Sequence, residues 1–317
     1  MTSYLVRRVA QAVVVVIGVT LVTFILIHLI PGSAARAALG LRATPARIAA
    51  FNAAYGLDKP VPAQFFDYVG QLLHGNLGTS FTTQQPVTWE IGQRLPGDIV
   101  LVGVSVALAL AIAIPMGIHQ AVRRNRLDDH LLGGVSFTLY AMPDFFFAIL
   151  LVALFCVQLH ILPPEAPRST SLAGMLSQPR ALVLPVVTLT LAYLAGFSRY
   201  MRASAVDVLA QDFLRVVRAK GLPERLVLSR HVLRNSLLPV VTMVGLTVPN
   251  IVAGAVIAET VFNFQGMGLL LYSASTSHDY PVLLGATLVV GIATVAGNLA
   301  ADIAYSALDP RIRYGKS

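Results

Sequence analysis

Six stretches of this chain are apolar over the length of a membrane crossing, and they leave it little choice of solvent. They run over 9–30, 99–118, 131–159, 181–197, 237–258 and 282–305. A hydrocarbon core of ~30 Å takes about 20 residues of helix, whose backbone groups bond within the segment. Only 12% of the 317 residues are charged, against about 25% in a soluble domain. The sequence therefore predicts an all-α integral membrane protein with six transmembrane helices. Arg7 and Arg8 precede the first stretch as in a signal peptide. Its length exceeds the ~7–15 residues of a signal core, so a retained helix is expected. The third stretch is overlong and contains Pro143-Asp144, which predicts a tilt or kink there.

Charge placement orients the six. With the N-terminus inside, the inner segments hold sixteen of the 23 Lys and Arg, eight of them between Arg199 and Arg234. Five of the remaining seven lie in the long 31–98 segment, where the positive-inside bias is weak. Both termini are therefore expected in the cytoplasm. Three regions follow: 1–30 with the first span, 31–98 outside, and a five-span core over 99–317 that includes a cytoplasmic loop at 199–236. In the outer segment, Thr44-Pro45 reads as a helix start and Gly56 as its stop. Val61–Leu73 reads as a second short helix, with Phe65, Tyr68, Val69 and Leu72 along one stripe. These helices could dock a partner or serve as a lid or packing elements.

Enzyme chemistry finds no footing. The terminal Gly315-Lys316-Ser317 resembles the end of a P-loop, but Pro310 stands where its first Gly belongs and no helix follows. The seven His and single Cys156 show no zinc spacing. No metal site, catalytic residue or cofactor is expected in this chain. Asp144 is read as the one ionisable side chain deep in a span, with Asp302 nearer the end of the sixth. A carboxylate there is either a path-lining residue or one bonded to a neighbouring helix.

The inner loop carries more information. Val206, Leu209, Phe213, Val216 and Val217 recur at helical spacing, and Gly221 suits a helix stop. Pro223 and Glu224 suit the first turn of a second helix. On a wheel of 100° per residue, Leu226, Leu228, Val232 and Leu233 share one side, with Arg225 intruding. Glu224, Arg230, His231 and Arg234 take the other, together with Val227, which is expected to be exposed. Such a helix could lie on the membrane surface or, held by a defined break, act as a lever.

Here the chain resembles a known family. Gly221 with Leu238-Pro239 is similar to the EAA motif of ABC importer permeases. R-A-K-G at 218–221 with R-H-V-L-R-N at 230–235 resembles its dipeptide/oligopeptide (peptide/nickel) branch. H-L-I-P-G (28–32), Y-G-L-D-K-P (55–60), H-G-N-L-G-T-S (74–80) and R-L-P (94–96) agree in order. So do E-T-V-F (259–262), G-M-G (266–268), D-Y-P (279–281) and L-D-P-R-I-R-Y-G (308–315). The chain departs from the pattern at Ser33, at Gln211 within a degenerate Glu-Ala-Ala signature, at Gln265 and at Asp144.

The resemblance implies a type I importer fold and a cytoplasmic helix that plugs into a separate ATPase. Gly221, Leu222, Pro223, Glu224, Arg225, Val227, Arg230, His231 and Arg234 would carry that coupling. It further implies a second homologous permease, two cytoplasmic ATPase subunits holding ATP and Mg, and an extracytoplasmic substrate-binding protein, at the cell membrane. Nucleic acid is not an expected partner. Peptides are the favoured cargo, haem or chelated nickel the alternatives. The rival class is an ion-gradient-driven carrier or channel, which would show charged residues or broken half-helices at mid-membrane.

Overall fold

The computed structural model describes residues 2–308, and every regular element among them is a helix. Helix α1 (Thr2–Leu29) is followed by the short α2 (Ala34–Leu39), α3 (Pro45–Tyr55) and α4 (Val61–Leu73). Next come α5 (Val87–Val122), α6 (Leu127–Ala141) and α7 (Asp144–Leu151), the last running into a π-helical stretch over Val152–Gln158. After α8 (Leu172–Leu176) stand α9 (Pro179–Leu209) and α10 (Asp212–Ala219). A continuous helix over Glu224–Ala253 comprises α11 (Glu224–Leu226), a π-helical stretch (Val227–Val232) and α12 (Leu233–Ala253). The chain closes with α13 (Val256–Phe262), α14 (Met267–Thr276) and α15 (Tyr280–Leu308). The last motif, 308–315, and the charges Arg311, Arg313 and Lys316 lie beyond or at the edge of the described residues.

Four helices are long and apolar enough to cross a membrane: α5, α9, Glu224–Ala253 and α15. Two bent pairs qualify as well if each is one crossing: Val13–Leu29 with Ala34–Arg42, bent by 72°, and Leu127–Ala141 with Asp144–Gln158, bent by 101°. The expected kink at Pro143 is thus a break. Pro143 lacks an N–H, and Met142 before it is extended (ψ 136°), as the steric clash with a following Pro requires.

Side-chain contacts show which ends lie together. Ala121, near the end of α5, packs with Val208 of α9 and with Val227 and Val232. At the start of α5, Gln93 accepts a hydrogen bond from Thr170, and the Phe262 carbonyl accepts one from Ala166 N. The α6–α7 pair therefore carries the chain from one end of α5 back to the other. The basic loop at 123–126 and the basic stretch at 199–234 share one end. Val87 and Ile91 of α5 pack with Val282 near the start of α15 at the opposite end.

The core is apolar and centred on α5 and α9, where Leu101, Val102, Val106, Leu184, Leu189 and Phe197 are buried together. Between α12 and α15 small residues bring the backbones close: a Cβ at Gly245 would stand 2.2 Å from that of Ala301. The fifth predicted span, 237–258, is displaced in the structure. The helix begins at Glu224 and ends at Ala253, where Gly254 takes φ 75°, ψ 173°, a backbone region held essentially by Gly alone.

At the end opposite the basic loops, 31–86 forms a cap whose motifs bind one another. Thr44 accepts from Arg47 N and Gly56 closes α3 at φ 66°, as the sequence predicts. The α4 stripe is half-buried: Phe65 meets Phe24 of α1 edge-on at 5.2 Å, and Gln64 contacts His28 at 3.1 Å. Asp279 of the D-Y-P motif accepts hydrogen bonds from Ser80 Oγ (2.6 Å), Phe81 N (3.0 Å) and Thr82 N (3.2 Å). Asp279→Ala would leave the buried Ser80 hydroxyl and Phe81 N–H without this acceptor, at roughly 1–3 kcal/mol each, whereas the Thr82 N–H keeps Ser80 Oγ. The expected result is a cap that opens first: limited proteolysis should cut between residues 31 and 86 much faster than in wild type, while the helical content stays unchanged.

Candidate functional site

The basic stretch forms an elbow. α9 stops at Leu209 and α10 starts afresh at Asp212, so the single helix expected over 206–217 is in fact two. Gly221 (φ 77°) turns the chain, Pro223 is extended and Glu224 opens the next helix. Arg218 closes the elbow with two bonds to the Glu224 carboxylate, 2.8 and 3.1 Å. That pair is exposed at both ends, so its contribution is ~0–1 kcal/mol. Packing holds the elbow instead: Leu214, Val227 and Val232 are fully buried with Ala121, Ala205 and Val208, and Leu222 lies against them.

Two expectations are corrected here. Val227 is fully buried and not exposed among charges. The wheel fails because 227–232 is π-helical: i→i+5 bonding widens the turn and brings residues five apart, Val227 and Val232, to one side. Nor is 222–235 a separate helix between rigid neighbours, since it runs without a break into the crossing that ends at Ala253. The apolar residues the elbow does expose are Val216 (56%) and Leu226 (41%). Around them lie the exposed Arg215, Arg218, Lys220, Arg225, Arg230 and Arg234, with His231 half-buried. α10 is the most sharply two-faced of the short helices, with Leu214 buried and Arg215 and Val216 outward. The sequence contained this signal, but the continuous-helix reading hid it.

Close to the elbow, Arg202 of α9 holds Asp129 of α6 through two bonds of 2.7 Å. A cavity of about 410 Å³ opens beside them, lined by Gln120, His130 and Arg199 among others. Asp144 stands at the 101° bend as the first residue of α7, exposed in this chain. Tyr193 of α9 lies within electrostatic reach of it and faces Asn250 of α12.

Asp144 is not the only deep carboxylate. Asp98 in α5 and Glu259 in α13 are both fully buried, which the sequence reading missed. Glu259 accepts from Ala255 N (2.6 Å) and Leu269 N (2.7 Å), so it ties α13 to α14. Asp98 accepts from Met267 N and brings that hairpin against α5. Glycines make room for the acids: a Cβ at Gly266 would stand 2.4 Å from Asp98 Oδ1 and 2.5 Å from Glu259 Oε2. The E-T-V-F and G-M-G motifs thus form one structural unit. In the sequence both motifs stood only as points of family resemblance, and nothing there placed Asp98 beside them.

Fold and site together define a multi-pass, all-helical membrane protein with a basic elbow at one end. Residues 113–314 match the family described as binding-protein-dependent transport system inner membrane component, and 1–102 match the N-terminal family of the same system's membrane component. The chain belongs to this family and is a transport subunit of that kind. It is 35% identical over 316 residues to the oligopeptide transport system permease protein AppB of Bacillus subtilis, covering 99% of this chain and 100% of that one. It is 34% identical over 339 residues to the dipeptide transport system permease protein DppB of Escherichia coli K12, covering both in full. To the glutathione transport system permease protein GsiC of Pectobacterium atrosepticum it is 37% identical over 314 residues, 99% of this chain and 100% of that one.

Proposed function

We propose that this chain is one permease subunit of an ATP-driven ABC importer for di- and oligopeptides in the cell membrane. The carrying observation is end-to-end similarity to permeases named for oligopeptide, dipeptide and glutathione transport. Haem and chelated nickel are not favoured by those names. In this reading the chain crosses the bilayer six times, with the elbow and both termini in the cytoplasm. A second permease completes the path, two ATPases grip the elbow, and a binding protein delivers cargo to the cap built on 31–98.

The elbow suits such a grip because it is the first turn of a crossing. A push on α11 is transmitted along one helix to Ala253, and α10 reaches that helix across the turn through the packing of Leu214 with Val227 and Val232. Gly221 and Pro223 set its angle, Leu222 and Val227 anchor it, and Arg225, Arg230, His231 and Arg234 offer charge to a partner. To shift the crossing helices, the ATPase must bind the elbow differently in its two states, since equal affinity shifts nothing.

A broken helix and buried acids are also what an ion-driven carrier would show. Here Glu259 is occupied by backbone N–H groups, so its carboxylate has a structural use. Proteoliposome uptake tests the choice. Peptide import is expected only when the second permease, ATPases, binding protein and ATP are all present. Import by this chain alone under an ion gradient would overturn the reading.

A further inference from the structure

We infer that Asp144 is the binding site for a protonated amine of the cargo, the α-ammonium of a peptide or a basic side chain. The inference rests on the importer reading above. A carboxylate inside a membrane is costly and ordinarily faces a partner or a water-filled cavity. Among the described residues Asp144 has neither a hydrogen-bond nor an ion-pair partner. Arg199 lies 4.4 Å over the Tyr140 ring and makes no ion pair with it.

Depth and surroundings agree. α6 and the stretch from Asp144 to Gln158 are arms of about 22 Å each. Meeting at 101°, they span about 28 Å between far ends, close to the ~30 Å hydrocarbon thickness. The bend, and Asp144 with it, then falls near mid-depth. Facing lipid, an ionised Asp144 would be strongly unfavourable. Facing a path closed by the second permease, it is hydrated until cargo arrives.

The neighbours suit a cation. Phe145 (45% exposed) and Phe146 (41%) follow Asp144 at the bend. Aromatic faces attract ammonium groups, and Tyr193 with Asn250 supplies further polar groups. A single carboxylate among exposed rings is the chemistry of amine recognition. It would not suit a carboxylate or phosphate cargo. The pairing is weak enough to release cargo, because the site stays open to water.

The test uses the complete importer in proteoliposomes, with peptide-loaded binding protein at saturation and benzylammonium as competing probe. Asp144→Asn should lower peptide uptake at least tenfold, whereas Asp144→Glu should retain a third or more. In both, subunit assembly and binding-protein-stimulated ATP hydrolysis should match wild type. Benzylammonium should inhibit wild type at a concentration at least tenfold below that needed for Asp144→Asn, and neutral benzyl alcohol should not discriminate. Wild-type uptake by Asp144→Asn, or equal inhibition of both by benzylammonium, would overturn the amine site. Failure of Asp144→Asn to assemble would overturn it too, by making Asp144 an interface residue. If wild type imports no peptide at all, the importer reading fails instead.

Discussion

Glu259→Ala is expected to prevent accumulation of folded permease, not merely to slow transport. The Glu259 carboxylate is fully buried and terminates two backbone N–H groups, from Ala255 and Leu269. Alanine leaves both donors in a site that water does not reach. Each unsatisfied group is worth about 1–3 kcal/mol, so the loss is roughly 2–6 kcal/mol from a total stability of about 5–15. The vacated volume adds to this, because the surrounding glycines have no side chains to move in. Glu259→Gln keeps one acceptor oxygen and should give an intermediate result. Size-exclusion profiles and melting curves of the detergent-solubilised protein would check the series. A melting temperature for Glu259→Ala within about 2 °C of wild type would show that the hairpin is held by something else.

That hairpin also marks where the sequence stopped being readable. The presence of the apolar runs, the caps of α3 and the bounds of α4 were legible, because hydropathy, Thr44 and Gly56 act locally. Helix lengths were not, since α5, α9 and the helix over Glu224–Ala253 run well past the apolar runs that announced them. The order of the motifs was legible too, but not their meeting. Asp279 lies about 200 residues from Ser80, and Asp98 some 160 from Glu259, separations that no periodicity bridges. The elbow was found in the right place with the wrong face outward. Its residue types were clear, but a π-helical turn changes which of them share a side. Likewise Pro143 announced a bend without its size, since a kink and a break begin with the same missing N–H.

The largest effect on function should come from replacing Val216 and Leu226 together by Asp. Both are exposed in this chain, and neither contributes to the buried cluster under the elbow. Exposed substitutions of this kind usually change stability by less than about 0.5 kcal/mol, so the variant should fold, insert and melt like wild type. If the ATPase covers this surface, each Asp brings an unpaired charge into the apolar centre of an interface. A loss of 2 kcal/mol there weakens binding about thirtyfold. The ATPases should then fail to co-purify, and import should fall at least tenfold while the binding protein still delivers cargo. Val227→Asp separates the two roles of the elbow: it strikes the buried anchor, so it should lower the melting temperature as well. Glu224→Ala should cost little stability, because its pair with Arg218 is exposed, yet reduce import by removing a charge from the surface the ATPase grips. Raised salt should weaken association through the surrounding Arg residues, whose attraction is screened beyond ~10 Å at 0.1 M. Full import by the Val216, Leu226 double variant, with the ATPases bound, would move the coupling surface off this elbow.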